Sequence, residues 1–101
     1  MTKRMTWAEL KRRREGDPAV QAGYERSRRA YEIGEQVRTL RQAKGLSQAA
    51  LGALAGTSQQ AIAGIESGGV MPTIDSLDRI GQALGVDLLV QFAQPQPGAA
   101  R

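Results

Sequence analysis

Two short stretches with helical spacing of apolar residues, joined through Gly56, constrain this chain more than any other feature of its sequence. The first stretch begins at Ser47 and the second at Ser58 or Thr57, and serine and threonine are preferred residues at helix N-caps. Gly56 can adopt the positive φ that ends a helix without a steric penalty. We therefore expect two short helices joined by a tight turn.

The apolar residues of the two helices are spaced to share one core. Leu51 and Leu54 lie in the first helix, and Ile62 and Ile65 lie in the second. Ala50 is small, and we expect the second helix to cross the first closely there. This spacing predicts a helix-turn-helix unit. The second helix would turn five residues outward: Ser58, Gln59, Gln60, Ala63 and Gly64.

Composition argues against several kinds of chemistry. The 101 residues include no cysteine and no histidine, so the commonest zinc ligands and the commonest general base are missing. The ten acidic residues are scattered over charged helical surface. We therefore expect no enzyme, no metal and no cofactor. No apolar run reaches the length of a membrane span and no secretory leader is evident, so a cytoplasmic protein is expected.

The charge is unevenly distributed along the chain. The net charge is +4 and the pI is about 10.1, which favours a nucleic-acid partner. Residues 1–31 hold nine basic and four acidic residues, whereas residues 32–101 hold five and six. The basic excess and the outward-facing helix therefore do not coincide. We expect the run from Lys11 to Arg14 to form a solvated helix face rather than a specific phosphate site.

Further elements follow from caps and periodicity. Thr6 and Glu9 form a capping box for a helix ending near Gly16. Asp17-Pro18 begins a second helix that runs toward Lys44, with a bend expected near Gly34. Pro72-Thr73 begins a later helix closed by Gly85, with inward side chains at Ile74, Leu77, Ile80 and Leu84. Residues 86–92 alternate as in a strand, and the tail after them is expected to be disordered.

The segment LRQAKGLSQAALGALAGTSQQAIAGIESGGVMPTIDSLDRIGQALGV resembles the helix-turn-helix of lambdoid phage repressors and of the wider xenobiotic-response-element regulators. The resemblance covers about residues 35–86. It implies an all-α fold: a five-helix lambda-repressor-like DNA-binding and dimerisation domain at 32–92, preceded by an N-terminal helical extension at 1–31. One short C-terminal β-strand and a disordered tail at 93–101 complete the expected organisation.

The same resemblance implies a DNA-binding surface. Gln59 and Gln60 would enter the major groove, where a glutamine amide can pair with N7 and N6 of adenine. Ala63 and Gly64 stand where related proteins have polar groups, so fewer base contacts are expected. The alternative is that both glutamines only solvate an exposed helix. The implied DNA-binding residues are Arg38, Ser47, Gln48, Thr57, Ser58, Gln59, Gln60, Ala63 and Ser67.

The resemblance implies a buried salt bridge between Arg41 and Glu66 that ties two helices of the domain together. The alternative is two independent surface charges.

The strand predicted at 86–92 has no second strand to pair with in this chain, and an unpaired strand edge favours association. We therefore expect a homodimer in which Leu88, Val90 and Phe92 lie at the interface.

The segment GDPAVQAGYERSRRAYEIGEQVR is similar to the region that precedes the helix-turn-helix in HigA-type antitoxins. That similarity implies a protein that neutralises a RelE/HigB-like mRNA endonuclease and represses its own operon. Pro18, Val20, Tyr24 and Tyr31 would contact the toxin. Such toxins are usually basic, which fits poorly with the basic residues 1–31. Alternatively, the two tyrosines pack on the protein's own core.

Three functions are therefore open from the sequence. The first is an antitoxin that also represses its operon through operator DNA. The second is a stand-alone transcriptional regulator without a toxin partner. The third is an RNA-binding or scaffold module whose motif no longer reads DNA.

Overall fold

The computed structural model describes residues 18–94, which form four α-helices. Helices α2 and α3 form the tight pair predicted around Gly56, α1 packs across α3, and α4 packs against α2. The described part of the chain is therefore all-helical. The bounds of the helices are α1 Pro18–Ala43, α2 Gln48–Ala55, α3 Gln59–Glu66 and α4 Ile74–Leu84.

Three helices begin where capping residues predict them. The hydroxyl oxygens of Ser47, Ser58 and Thr73 each accept a hydrogen bond from the backbone N–H three residues later, at 3.0–3.1 Å. Gly56 ends α2 with φ of 71° and Gly85 ends α4 with φ of 72°. Only glycine adopts this left-handed conformation without a steric penalty. The predicted starts and stops of α2 and α4 and the predicted start of α3 are confirmed.

The core is small and lies among all four helices. Leu51 and Ile62 are fully buried at the contact of α2 with α3. The expectations that Leu54 joins them and that Ile74 faces inward are wrong, since these residues are 62% and 59% exposed. Ala55, one turn after Leu51, takes the inward position instead. The remaining buried apolar residues of this cluster are Val37, Ile65, Ile80 and Leu84, with Ile33, Leu46 and Ala83 packed beside them.

Two glycines set the closest helix approaches. A Cβ built at Gly52 would lie 2.9 Å from the carbonyl carbon of Ser58, so α2 meets the start of α3 at Gly52 rather than at Ala50. A Cβ at Gly34 would overlap the carbonyl oxygen of Ile65 and lie 2.8 Å from that of Glu66. Gly34 therefore lets α1 pass directly against the end of α3, within a helix that continues through it.

The five-helix expectation is corrected in the described residues. Four helices are described, and α1 runs from Pro18 to Ala43 in agreement with the predicted helix from Asp17-Pro18 toward Lys44, so the proposed domain boundary at 31/32 falls inside it. No helix-breaking residue stands at that point, and Ala30 is only 4% exposed. The helix predicted from Thr6 and the predicted tail beyond residue 94 lie outside the described residues. Within residues 18–94, no helix is long and apolar enough to cross a membrane.

The predicted strand at 86–92 is also corrected. Residues 86–94 have no regular secondary structure, and no strand occurs anywhere between residues 18 and 94. The physical reason is that a strand requires a neighbour for its backbone N–H and C=O groups, and the described single chain offers none. Several apolar side chains of the segment are left exposed, with Leu89 at 77%, Val90 at 63% and Phe92 without any cover.

Candidate nucleic-acid interface

Helix α3 turns one face into the core and the other outward. Its buried residues are Ile62, Ile65 and Glu66. On the opposite side lie Gln60 and Gly64, which are one turn apart and therefore on the same face. Gln59 and Gln60 are both exposed, and Ala63 is half-buried beside them. The structure thus leaves the two glutamine amides free to approach a ligand.

The end of α3 is tied to α1 by the carboxylate of Glu66, which is 2% exposed. Arg41 donates to both of its oxygens, from Nε at 2.6 Å and from Nη2 at 2.9 Å. Gln48, at the start of α2, donates to Oε1 at 3.2 Å. Arg41 also donates to the carbonyl oxygen of Leu46 at 2.7 Å. The structure therefore brings the predicted pair together and joins three helices at one carboxylate.

This network keeps Glu66 ionised. Burial alone would raise the pKa of Glu66, but the hydrogen bonds from Arg41 and Gln48, together with the charges of Arg41 and Arg38, lower it below its ordinary value. The hydrogen bond to Glu66 in turn raises the pKa of Arg41. A charged hydrogen bond of this bidentate kind fixes geometry as well as contributing energy. The orientation of α3 on α1 is therefore fixed both by the attraction between the two charges and by the geometry of the two hydrogen bonds.

Arg38, which is predicted to contact a phosphate, makes two hydrogen bonds within the chain. Its Nη2 donates to the backbone carbonyl of Glu66 at 2.8 Å, and its Nη1 donates to Glu35 at 2.6 Å. The side chain is 39% exposed. Arg38 therefore satisfies a carbonyl at the C-terminal end of α3, which has no partner within its own helix. A phosphate would have to share or displace these contacts.

The other predicted DNA-binding residues surround the two helix starts and the end of α3. The exposed Ser47 and Ser58 use their hydroxyl oxygens as caps, and Thr57 is half-buried beside Gly52. Ser67 is exposed and donates to the carbonyl oxygen of Gly64 at 3.0 Å. Gln48 is half-buried in the Glu66 network. These residues lie at the starts of α2 and α3 and at the end of α3, and several of their polar atoms already have partners within the chain.

Sequence reasoning missed two contributions to this site. Gly34 and Gly52 position α3, and the signal available was that each glycine lies inside a helical pattern, where glycine is otherwise unfavourable. The Glu35–Arg38 ion pair was visible as acidic and basic residues at i and i+3. The hydrogen bond from Arg38 to the end of α3 could not be predicted, because the carbonyl that accepts it belongs to a residue 28 positions later.

The residues predicted to contact a protein partner lie apart from this site. Val20, Tyr24 and Tyr31 are on α1, with exposures of 38%, 70% and 56%. Pro18 begins the helix and is exposed. The alternative in which the tyrosine side chains pack into the protein's own core is therefore not what the structure shows. Tyr31 approaches the end of α3 through its backbone and Cβ, since a Cβ built at Gly68 would lie 3.1 Å from the Cα and 3.4 Å from the Cβ of Tyr31.

Within residues 18–94, no group of acidic side chains is arranged to hold a metal ion. The polar groups that the site presents are the exposed amides of Gln59 and Gln60 and the capped starts of α2 and α3.

Comparison with known proteins bears on the part of the chain that forms this site. No curated protein and no solved structure matches the chain significantly. A family model described as helix-turn-helix matches residues 37–91, which is more than half of the chain. The match confirms the predicted repressor-like motif, and it spans the end of α1 and all of α2, α3 and α4. The chain therefore belongs to the helix-turn-helix family of sequence-specific DNA-binding regulators.

Proposed function

We propose that this protein is the antitoxin of a type II toxin–antitoxin pair, which neutralises a RelE/HigB-like mRNA endonuclease and represses its own operon as a cytoplasmic homodimer. The proposal assigns DNA reading to α3 and toxin binding to the N-terminal part of the chain. The alternative is a stand-alone helix-turn-helix regulator without a toxin partner. Neither reading requires a catalytic residue.

The DNA-reading half of the proposal is supported by α3. Gln59 and Gln60 are exposed on a helix whose opposite face is held by the buried Glu66 network. A glutamine amide can donate to and accept from one adenine edge in the major groove. Ser58 caps the start of α3, and Ser47 caps the start of α2 next to Gln48, which contacts Glu66 at the end of α3. Helix N-termini of this kind attract phosphate. Phosphate contacts would position the protein while the amides discriminate between bases.

The observation that carries the antitoxin half is the uncovered first half of α1. From Pro18 to Arg29 every residue is exposed except the half-buried Glu25. Val20, Tyr24 and Tyr31 lie at helical spacing along this length, and tyrosine is enriched where proteins bind each other. A helix with so little internal packing gains most of its stability from a partner. An exposed aromatic stripe on such a helix suits a protein partner.

The ion pairs of α1 reduce the difficulty raised by a basic toxin. Arg28 donates to Glu25 at 2.6 Å and to Glu32 at 2.8 Å. The hydrogen bond from Arg28 lowers the pKa of Glu25. The charge of Arg28 is therefore balanced within the helix itself. This part of α1 would repel a basic partner less than the number of its arginines suggests.

Dimerisation is supported by the apolar segment after α4. Val90 and Phe92 are exposed, Leu88 is half-buried, and no neighbour within residues 18–94 covers the exposed side chains. Pairing of this segment with its two-fold mate would supply the strand partner that the single chain does not offer. A dimer would also present two α3 helices to two half-sites of an operator.

The test compares toxin neutralisation with DNA binding in the same variants. The first step is to look for a gene beside this one that encodes a small basic endonuclease-like protein, and to co-express that protein as the toxin in a growth-rescue assay. Deleting residues 1–27 keeps Ala30 and Tyr31, which pack on the domain, and removes most of the exposed stripe. We expect this truncation and Tyr24→Ala to abolish or weaken rescue while leaving operator binding intact in a gel-shift titration.

Tyr24→Phe and Arg26→Ala serve as matched controls, since the first keeps the ring and the second truncates an exposed side chain outside the stripe. Both should rescue growth. If the truncated chain rescues as well as the full chain, the assignment of toxin binding to this segment is wrong. If the full chain itself does not rescue growth, the stand-alone regulator is the better reading. If neither form prefers any duplex DNA sequence over random DNA, the repressor half of the proposal fails.

A further inference from the structure

The centre of the outward face of α3 has no side chain of its own. Gly64 lies one turn after Gln60, opposite the buried Ile62 and Ile65. In a helix that enters the major groove, this position would face the base pair next to the one that Gln60 contacts. A glycine there leaves a gap in the reading surface, and it is also less favourable than alanine inside a helix.

The chain that follows α3 folds back onto this gap. The backbone N–H of Gly69 and the hydroxyl of Ser67 both donate to the carbonyl oxygen of Gly64, at 3.1 Å and 3.0 Å. A methyl group of Val70, Cγ2, then lies 3.3 Å from the point that a Cβ at residue 64 would occupy. Val70 is thus held where the side chain of residue 64 would otherwise begin.

Val70 is nevertheless 52% exposed, so its isopropyl group is only partly covered by the protein. An apolar group held at the edge of a base-reading surface has one specific partner in unmodified DNA. Thymine is the only base that presents a methyl group in the major groove. A valine methyl can bury that group, whereas it offers nothing to the hydrogen-bonding edges of the other bases.

We propose that Val70 reads a thymine methyl group beside the base pair contacted by Gln60, in place of the missing side chain of residue 64. The proposal rests on the proposed DNA-reading role of α3 and adds a specificity-determining residue from outside the recognition helix. It assigns to this chain a mixed readout: an amide recognises one base pair, and a loop valine recognises the methyl group of the next. The preferred site would therefore contain an adenine and a thymine at adjacent positions in each half-site.

The experiment begins by selecting the preferred duplex from a random library with the full-length protein. Each thymine of the selected site is then replaced, one at a time, by deoxyuridine, which removes only the methyl group. Affinities are measured for the wild-type protein and for Val70→Ala. Leu54→Ala is the matched control, because it truncates an aliphatic side chain that is 62% exposed at the end of α2 remote from Ser47. Thermal melting checks that all variants are folded.

For the wild-type protein and the control, we expect one thymine per half-site at which deoxyuridine weakens binding about three- to fivefold, the value of one buried methyl group. For Val70→Ala the same replacement should change affinity by less than about twofold, because the methyl has lost its contact. The two proteins and the two duplexes form a double-mutant cycle. This cycle separates the contact between Val70 and the thymine methyl group from any effect of deoxyuridine on DNA shape.

Equal losses in the wild type and in Val70→Ala at every thymine would overturn the proposal, as would the absence of any methyl effect in the wild type. In both cases the selected site and the role of Gln60 would still stand. If the selection enriches no sequence at all, DNA reading by α3 itself fails, and this inference fails with it.

Discussion

Among single residues, Glu66 has the largest predicted effect on stability, because its carboxylate joins α1, α2 and α3. Glu66→Gln would leave Arg41 without its charged partner in a site where Arg41 is only 12% exposed. Breaking one side of a buried pair typically costs about 3–5 kcal/mol. We expect a loss near 3 kcal/mol, because Arg41 keeps the Leu46 carbonyl. Chemical denaturation of the full-length protein would measure it.

Glu35→Gln is the matched control for that prediction. Glu35 also pairs with an arginine, Arg38, but its side chain is 44% exposed. An exposed pair contributes about 0–1 kcal/mol, so this variant should unfold almost like the wild type. Equal losses in both variants would show that burial of the Glu66 pair has no special energetic importance.

Acidification provides a second measure of Glu66. Its pKa is lowered in the folded protein from an ordinary value of 4.5, so the folded state binds this proton less readily than the unfolded state. The stabilisation is therefore complete above the ordinary pKa and is lost as the pH falls through the lowered one. We expect the wild type to lose more stability than Glu66→Gln between about pH 5 and pH 3. Parallel pH dependences of unfolding would contradict this assignment.

Gln60 tests whether α3 reads bases. If its amide contacts an adenine edge, Gln60→Ala should reduce discrimination at one position of each half-site by about 1–3 kcal/mol. Binding to random DNA should change little, since phosphate contacts supply that affinity. Gln36→Ala, an exposed glutamine on α1, is the control and should change neither. Equal weakening on specific and random DNA would show that Gln60 does not read sequence.

Among the elements, α1 matters because one continuous helix carries both the exposed tyrosine stripe and the contacts that hold α3. Gly34 is central to this arrangement, since it lets α1 lie directly on the carbonyl groups that end α3. The helix can approach so closely only where a side chain is absent. The proposed boundary between the extension and the domain therefore lies within a rigid element rather than in a linker.

Gly34→Ala and Gly23→Ala form a matched pair in this helix. At Gly23 an added Cβ meets nothing within 4 Å, so alanine should stabilise the helix by up to about 1 kcal/mol. At Gly34 the added Cβ meets backbone atoms, which cannot rotate away, and overpacking typically costs about 1–3 kcal/mol. We expect opposite shifts of the melting temperature. A stabilising Gly34→Ala would mean that α1 and α3 are less closely packed than described.

At the scale of the whole molecule, the apolar segment after α4 is exposed in a single chain. If it forms the dimer interface, Val90→Asp should give monomers in sedimentation at micromolar concentration. Operator affinity should fall as well, because two linked half-site contacts bind far more tightly than one. Leu54→Asp places the same acid on another exposed aliphatic position and should remain dimeric. A dimeric Val90→Asp would place the interface elsewhere.

Local chemistry in the sequence was enough to predict much of the helical domain. Serine and threonine caps and glycine stops act within one helical turn, so Ser47, Gly56, Ser58, Thr73 and Gly85 could be assigned without tertiary information. The spacing of Leu51, Ile62 and Ile65 identified buried positions for the same reason. The helix-turn-helix family follows from these local features, and the family model matches the same region.

Tertiary structure decided what depends on a distant partner. Whether Leu54 or Ala55 faces the core depends on where α3 and α4 lie, and periodicity alone allowed both. The use of Arg38 depends on a carbonyl far along the chain, and the roles of Gly34 and Gly52 depend on backbone atoms of α3 and of the turn before it. The strand at 86–92 was predicted from alternation, but alternation supplies no neighbour for its backbone. The hydrogen bonds of caps and turns join residues only a few positions apart. Packing contacts and strand pairs need partners that are far apart in the sequence and that only the fold brings together.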